Sequence, residues 1–286
     1  MGSKIGKLIM CPTPLGNLGD MTDRAREAFA QCDVVCCEDT RITGKLLSIL
    51  GIEKRLERLD EACVAQKAPQ VIDRVLAGEV IAYASDAGMP GVSDPGQRLV
   101  DVAHDAGAPV EVLPGPTAVA TAYVLSGFTA QSFYFGAFFP RKSGDRARLL
   151  EQVAALDAVL VFYESPQRLV SALEAIRECL PYRRVAVCRE LTKVHEEVVR
   201  GPLDEVIELF SERSANEGIK GEIVIVIDAP NENEHEADEQ QRKSDAASRA
   251  QELLQQNACS KKDMVRMLRD EFGLSRNVAY ELIHGA

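Results

Sequence analysis

EVIAYASDAGMPGVSDPGQRLVDVAHDAG, residues 79–107, reads as a complete strand, loop and helix. Glu79 to Ala84 is a short apolar run of β-type residues, and the loop after it, Ser85 to Gly96, holds three glycines and two prolines. Pro95 after Asp94 marks a helix start, because proline suits the first turn, and Gly107 marks the stop. The same grammar recurs along the chain. Further apolar runs lie at Lys7 to Cys11, Asp33 to Cys37, Val110 to Leu113, Ala158 to Tyr163, Arg184 to Cys188 and Glu222 to Ile227. Pro116, Pro202 and Pro166 after Ser165 open helices, and Gly51, Gly78 and Gly127 close them. Short strands alternating with helices are joined by crossovers. The predicted fold class is therefore α/β: two α/β domains with largely parallel or mixed sheets and a small C-terminal helical module.

A break near Gly127 divides the α/β region into 1–126 and 127–230. Residues 231–245, NENEHEADEQQRKSD, are acidic and poor in apolar side chains, as a solvated, flexible linker should be. Helical periodicity returns over 246–286, where Leu253, Leu254, Met264, Val265, Met267, Leu268, Val278, Ala279, Leu282 and Ile283 mark three short helices with Gly273 between the last two. Lys261, Lys262, Arg266, Arg269 and Arg276 make that module a candidate for RNA capture.

The polar and glycine-rich segments follow the strands: PTPLGNLGD (12–20), EDTR (38–41), SDAGMPGVSDPG (85–96), PGPT (114–117), ESPQR (164–168) and RELTK (189–193). Open α/β sheets bind ligands at the carboxyl ends of their strands, so these loops should converge on one cleft. The phosphate-cradling patterns are missing. Gly44-Lys45 is followed by Leu46 rather than a hydroxyl side chain, and Gly16 and Gly19 have the wrong spacing for a dinucleotide loop. A cofactor without a phosphate chain fits better.

With 286 residues, 46% hydrophobic and 27% charged, the chain has material for two compact domains. No apolar stretch reaches the roughly 18 residues of a membrane span, and a cytoplasmic protein is expected. The eight cysteines form no C-x-x-C pair, which points to reduced thiols, with Cys36 and Cys37 continuing an apolar strand; no metal site is expected. A net charge of -11 argues against indiscriminate nucleic-acid binding while leaving room for a shaped, locally basic site.

In order along the chain, TPLGNLGDMT, EDTR, SDAGMPGVSDPG, LPGPTA, FYESPQR, CRELTK and KGEIVIVI form a set that resembles the ribosomal-RNA branch of the tetrapyrrole methylases, also called class III methyltransferases. The resemblance covers residues 7–228, and the terminal helices resemble that branch's extra domain. It implies two α/β domains with S-adenosylmethionine in the cleft between them, and a homodimer. It also implies 2'-O-methylation of a cytidine ribose in small-subunit ribosomal RNA, as free RNA or in the assembled 30S subunit. The implied cofactor contacts fall on Leu15, Gly88, Met89, Val92, Thr117 and Ala118, then on Phe162, Cys188, Gly221 and Glu222 of the second domain. Plain core packing is the competing reading for Leu15, Val92, Phe162 and Cys188. The same scaffold also serves methylation of tetrapyrroles or of a modified histidine in a translation factor, and a non-catalytic nucleic-acid-binding regulator is a further alternative.

Methylating a ribose hydroxyl asks for alignment and for a base or a field that stabilises developing alkoxide. Glu190 and Glu38 are candidates for the base, Lys193 and Arg189 for stabilising oxyanion or phosphate, and Arg41 and Arg168 for pairing with RNA phosphates. Interdomain salt bridges are the competing reading for each. Relatives in this branch commonly carry a histidine- and asparagine-rich segment where this chain has Arg58-Leu59-Asp60-Glu61-Ala62-Cys63, which makes Asp60 and Glu61 candidate substitutes. The aromatic run Phe133, Tyr134, Phe135, Phe138 and Phe139 reads more readily as core than as a base-stacking surface, and Arg141, Lys142, Arg146 and Arg148 after it form a candidate phosphate track.

Overall fold

The computed structural model describes residues 5–256 and 260–284, so Cys259 lies outside the described residues. Its first part comprises β1 (Lys7–Cys11), α1 (Asp23–Gln31), β2 (Val34–Cys37), α2 (Thr40–Ile49), β3 (Leu56–Arg58), α3 (Val64–Leu76), β4 (Val80–Ala84), α4 (Gly96–Asp105), β5 (Val110–Val112) and α5 (Ala118–Ser126). The five strands form a wholly parallel sheet in the order β3-β2-β4-β1-β5. Side-chain alternation explains why these strands are apolar throughout. Leu8, Met10, Ile81 and Tyr83 pack on one face against Val71 and Ile72 of α3 and Leu99 of α4. Ile9, Cys11 and Ala82 pack on the other against Phe29 of α1 and Leu47 of α2. Each such fully buried aliphatic side chain contributes about 1.5–3 kcal/mol. Cys36 and Cys37 fall on opposite faces of β2, both buried as strand thiols.

The second part runs β6 (Phe133–Phe138), α6 (Ser143–Ala154), β7 (Val159–Glu164), α7 (Leu169–Cys179), β8 (Arg184–Arg189), β9 (Glu197–Pro202), α8 (Leu203–Asn216) and β10 (Ile223–Ile227). Its sheet has the order β6-β7-β10-β8-β9, with only the β6–β7 pair parallel. The second sheet is therefore mixed: β8 and β9 form a hairpin, and β10 returns antiparallel between β7 and β8. β3 and β9 lay outside the apolar runs of the sequence because both carry charged residues at a sheet edge.

Two expected boundaries move. Helix α5, assigned to 1–126, buries Val119 and Ala122 against Val159, Val161, Ala186 and Cys188 of the second sheet, so the division between the halves falls before it rather than at Gly127. Residues 231–245, expected as a flexible linker, are helical from Glu232 onward and form the start of α9 (Glu232–Gln256). The segment is poor in apolar residues, but its Glu, Gln, Ala, Lys and Arg are good helix formers.

Met1–Ala229 forms one compact unit and Pro230–Ala286 a second. In the second, α9, α10 (Lys261–Phe272) and α11 (Arg276–His284) bury Ala250, Leu253, Met264, Leu268, Ala279 and Ile283 together. Ser260 caps α10 by accepting from the Asp263 N–H at 3.2 Å, and Gly273 ends it in the left-handed conformation, φ 65°.

Candidate active site

The loops at the carboxyl ends of β1, β2 and β4 meet those of β7 and β8, and the start of β10, around a cavity of about 470 Å³. That is the size of a small-molecule site. The 85–96 loop is held from two sides. Thr13 and Gly88 exchange backbone hydrogen bonds (2.9 and 3.1 Å), which bridges it to the first loop. The Asp94 carboxylate accepts from the N–H groups of Gly91 (2.7 Å), Val92 (3.2 Å) and Gly96 (2.7 Å). Gly88 is required twice over: its φ is 81°, and a Cβ there would lie 2.9 Å from Leu15 Cδ2 and 3.2 Å from the Pro116 carbonyl.

Of the ten residues expected at a cofactor, Leu15, Gly88, Met89, Val92, Thr117, Ala118, Gly221 and Glu222 line this cavity. Phe162 and Cys188 do not. Phe162 points to the opposite face of β7, into the core with Tyr134 and Phe139, and its neighbour Tyr163 takes the cavity side. Cys188 lies beneath α5, its Sγ 3.9 Å from the Ala122 carbonyl, and burial pushes its thiol up to about 12. Leu191, Asp86, Glu164 and Phe138 line the cavity without having been singled out as cofactor contacts.

The charge of the lining is one-sided. Glu38, Asp86, Asp94, Glu164 and Glu222 contribute five carboxylates, and among the described residues no lysine or arginine lines the cavity. Glu164 is 3% exposed; its Oε1 accepts from the Ser165 N–H at 2.6 Å and pairs with Arg168, while Oε2 is buried without a hydrogen-bond partner. Such a lining favours a cationic ligand and disfavours phosphate.

The proposed catalytic residues separate. Glu38 lies in the cavity. Its Oε1 accepts from the Asp86 N–H at 3.2 Å, and Asp86 in turn accepts from the Asp39 N–H at 3.1 Å. Burial pushes the Glu38 carboxyl up to about 7; the charges of Asp94, Asp86 and Asp60 add to the rise and the Asp86 N–H opposes it. Glu190 sits in the opposite regime and does not line the cavity. The Glu222 N–H (2.9 Å) and the Lys193 ammonium (2.9 Å) both reach its Oε1 and hold its carboxyl below the usual range. Its φ is 53°, and Gly221 (φ 97°) leaves it room: a Cβ there would lie 2.5 Å from Glu190 Cγ. Lys193 also pairs with Glu222 (3.1 Å) and lies over Gly16, where a Cβ would come within 2.2 Å of Lys193 Cγ. With the Asn17 N–H donating to Thr192 Oγ1 (3.2 Å), RELTK is a clasp between the two halves.

Arg189 is committed to Glu197 (3.0 Å), which Arg213 shares at 2.7 Å. Arg41 pairs with Asp39 (2.5 Å) but is 89% exposed, outside the cavity. Arg168 is tied to Glu164, and Arg146 is buried, donating to the Pro140 (2.8 Å) and Ser171 (3.0 Å) carbonyls, so neither belongs to a phosphate track. Asp60 accepts from the Cys63 N–H (3.1 Å) and pairs with Arg58 (2.5 Å), a local turn rather than a cavity wall.

Fold and cavity together define an α/β protein with a ligand site at the carboxyl ends of its strands. The family model for tetrapyrrole (corrin/porphyrin) methylases matches residues 7–207, and the chain belongs to the tetrapyrrole methylase family. It is 39% identical over 223 residues to a ribosomal RNA small subunit methyltransferase I of Thermotoga maritima, covering 78% of this chain and 98% of that protein. It is 34% identical over 282 residues to the protein of that name in Bacillus subtilis, covering 99% of this chain and 95% of that protein. A solved uroporphyrin-III C-methyltransferase from Thermus thermophilus, complexed with S-adenosylhomocysteine, shares the fold at TM-score 0.55 and 18% identity over 77% of this chain and 97% of that one.

Proposed function

We propose that this methylase uses S-adenosylmethionine to methylate the 2'-hydroxyl of a cytidine ribose in small-subunit ribosomal RNA, free or in the assembled 30S subunit. The observation that carries the cofactor is the cavity itself: five carboxylates, a buried Glu164 oxygen without a partner, and a glycine loop drawn close to Leu15 and Pro116. These suit a ligand bearing a sulfonium and an ammonium and no phosphate. The names of the relatives carry the substrate class.

When bound, the cofactor supplies the electrophilic methyl group. The protein's own work is to orient and to move a proton. Leu15, Gly88, Met89, Val92, Thr117, Ala118, Gly221 and Glu222 form the walls that hold the cofactor, and the Asp94 carboxylate keeps the 85–96 loop in shape. Glu38 accepts the proton of the ribose hydroxyl, since a carboxyl poised at about 7 is ionised often enough to act and basic enough to take a proton. Glu190, Lys193 and Arg189 position the walls through the clasp and the Glu197 pair. Arg41, exposed outside the cavity, meets phosphate.

The homodimer is part of the same proposal. Val124 (74% exposed) and Leu125 on α5 and Phe133 at the start of β6 are exposed apolar side chains that a second copy would cover. The C-terminal helical module, through Lys261, Lys262, Arg266, Arg269 and Arg276, adds RNA affinity. Mapping ribose methylation on small-subunit ribosomal RNA from cells with and without this protein tests the reading. One cytidine that loses its 2'-O-methyl group supports it, and an unchanged map refutes it.

A further inference from the structure

Strand β6 changes course at its end. Phe133, Tyr134 and Phe135 pair in step with Val159, Leu160 and Val161 of β7, but the next partner of Tyr163 is Phe138, so one extra residue is inserted. Ala137 adopts φ 56°, a left-handed conformation that a residue with a Cβ rarely takes. At Gly136 a Cβ would lie 2.2 Å from Phe162 Cε1, so the chain bulges over the core at a position only glycine fits. The bulge re-aims the next two aromatic side chains. Phe139 is buried at 1% exposure, while Phe138 is left 58% exposed on the cavity wall. The Tyr163 ring supports it edge-on at 5.4 Å, with Phe135 against the same tyrosine at 5.0 Å.

A strained backbone that holds a large aromatic half in water, at the mouth of a ligand cavity, needs an occupant with a flat apolar face. Arg141 and Lys142, exposed three and four residues further on, add positive charge. An aromatic face beside cations is the chemistry that receives a single-stranded nucleotide: stacking for the base, charge for its phosphates. Resting on the proposed function, we propose that Phe138 is the stacking platform for the base of the acceptor nucleotide and so brings that nucleotide's ribose to the cavity.

The test uses the full chain, with 30S subunits from cells lacking the protein as methyl acceptor and tritiated S-adenosylmethionine as donor. Phe138→Ala should lower kcat/KM for the subunits by about 5- to 150-fold, the range of one lost base–aromatic stack. Calorimetric affinity for S-adenosylhomocysteine should not change, and Phe138→Trp should restore transfer. The chain contains no tryptophan, so the Phe138→Trp indole is its sole reporter. With S-adenosylhomocysteine bound, a single-stranded oligocytidylate of about ten nucleotides should quench it, and a base-free strand of the same length should not. Undiminished transfer by Phe138→Ala, or equal response to both strands, overturns the proposal. So does lost affinity for S-adenosylhomocysteine, which would assign Phe138 to the cofactor, or conversion to a monomer, which would assign it to a second copy. A wild-type protein that leaves the subunits unmethylated counts against the proposed function, and the quenching then decides the platform by itself.

Discussion

Replacing Glu38 by glutamine keeps the size of the side chain and its acceptor for the Asp86 N–H but removes its proton chemistry. If Glu38 is the base, single-turnover methyl transfer should fall by about 100- to 10,000-fold with S-adenosylhomocysteine affinity retained. The pH dependence is fixed by the direction of the shift. A carboxyl raised to about 7 is protonated and inactive below that pH, so wild-type kcat/KM should rise through pH 7 and level above it, while the Glu38→Gln profile stays flat. Stability moves the other way. Between the ordinary pKa of 4.5 and about 7 the folded protein holds a proton that the unfolded chain has lost, so wild-type stability falls as pH rises across that window. The full penalty is at most about 3 kcal/mol, and solvent at the open side of the cavity reduces it to about 1–2 kcal/mol. Glu38→Gln should therefore melt about 2–6 °C higher than wild type at pH 8 and show little difference at pH 4. Differential scanning fluorimetry across pH reads the second effect and rapid-quench transfer the first. Wild-type transfer rates in Glu38→Gln, or a flat wild-type profile through pH 7, would refute the assignment.

Gly88→Val should abolish calorimetric binding of S-adenosylhomocysteine while the circular dichroism spectrum is retained, because its Cβ meets Leu15 and the Pro116 carbonyl; normal binding would remove the 85–96 loop from the site. Glu190→Gln should leave single-turnover transfer at saturating cofactor within a few-fold of wild type and lower stability by about 1 kcal/mol, since its carboxylate serves Lys193 and the Glu222 N–H. A loss as large as that of Glu38→Gln would return Glu190 to the chemical step. Truncation after Pro230 should preserve S-adenosylhomocysteine affinity and weaken RNA binding, because it removes Lys261, Lys262, Arg266, Arg269 and Arg276. Equal RNA affinity for both forms, measured by filter binding, would assign the module another task.

The elements and loops were legible because their signals are local. Apolar runs bounded by glycine and proline located seven strands, and β1 was placed at its observed limits. Facing was not legible where strands are buried on both sides. VLVFYE in β7 is apolar on both faces, so nothing local says that Tyr163 rather than Phe162 meets the cavity. The two candidate bases looked alike for a related reason. Each follows a strand in a charged cluster, and what separates them is tertiary: burial raises Glu38, with the charges of Asp94 and Asp86 on another loop adding to it, whereas the backbone of Glu222 and the Lys193 ammonium lower Glu190. The start of helix α9 was not legible from its low apolar content, which is shared by coil, although the same composition also carries helix propensity.

The distribution of charge joins the cavity to its substrate. On the proposed function, the lining of five carboxylates that favours a sulfonium also repels the phosphates on either side of the ribose that reaches it. On that function only the nucleoside enters, and the strand stays outside the cavity, where Arg41, Arg141 and Lys142 are exposed. A net charge of -11 removes the long-range attraction that would otherwise hold RNA there. On the proposed function, affinity then comes from short-range contacts: the aromatic face of Phe138 and exposed cations such as Arg41, Arg141, Lys142, Lys261 and Lys262. Burial raises Glu38 toward neutrality and the charges of Asp94 and Asp86 add to the rise, so on the proposed function the carboxylates that favour the cofactor also help to tune the base and restrict entry to a nucleoside.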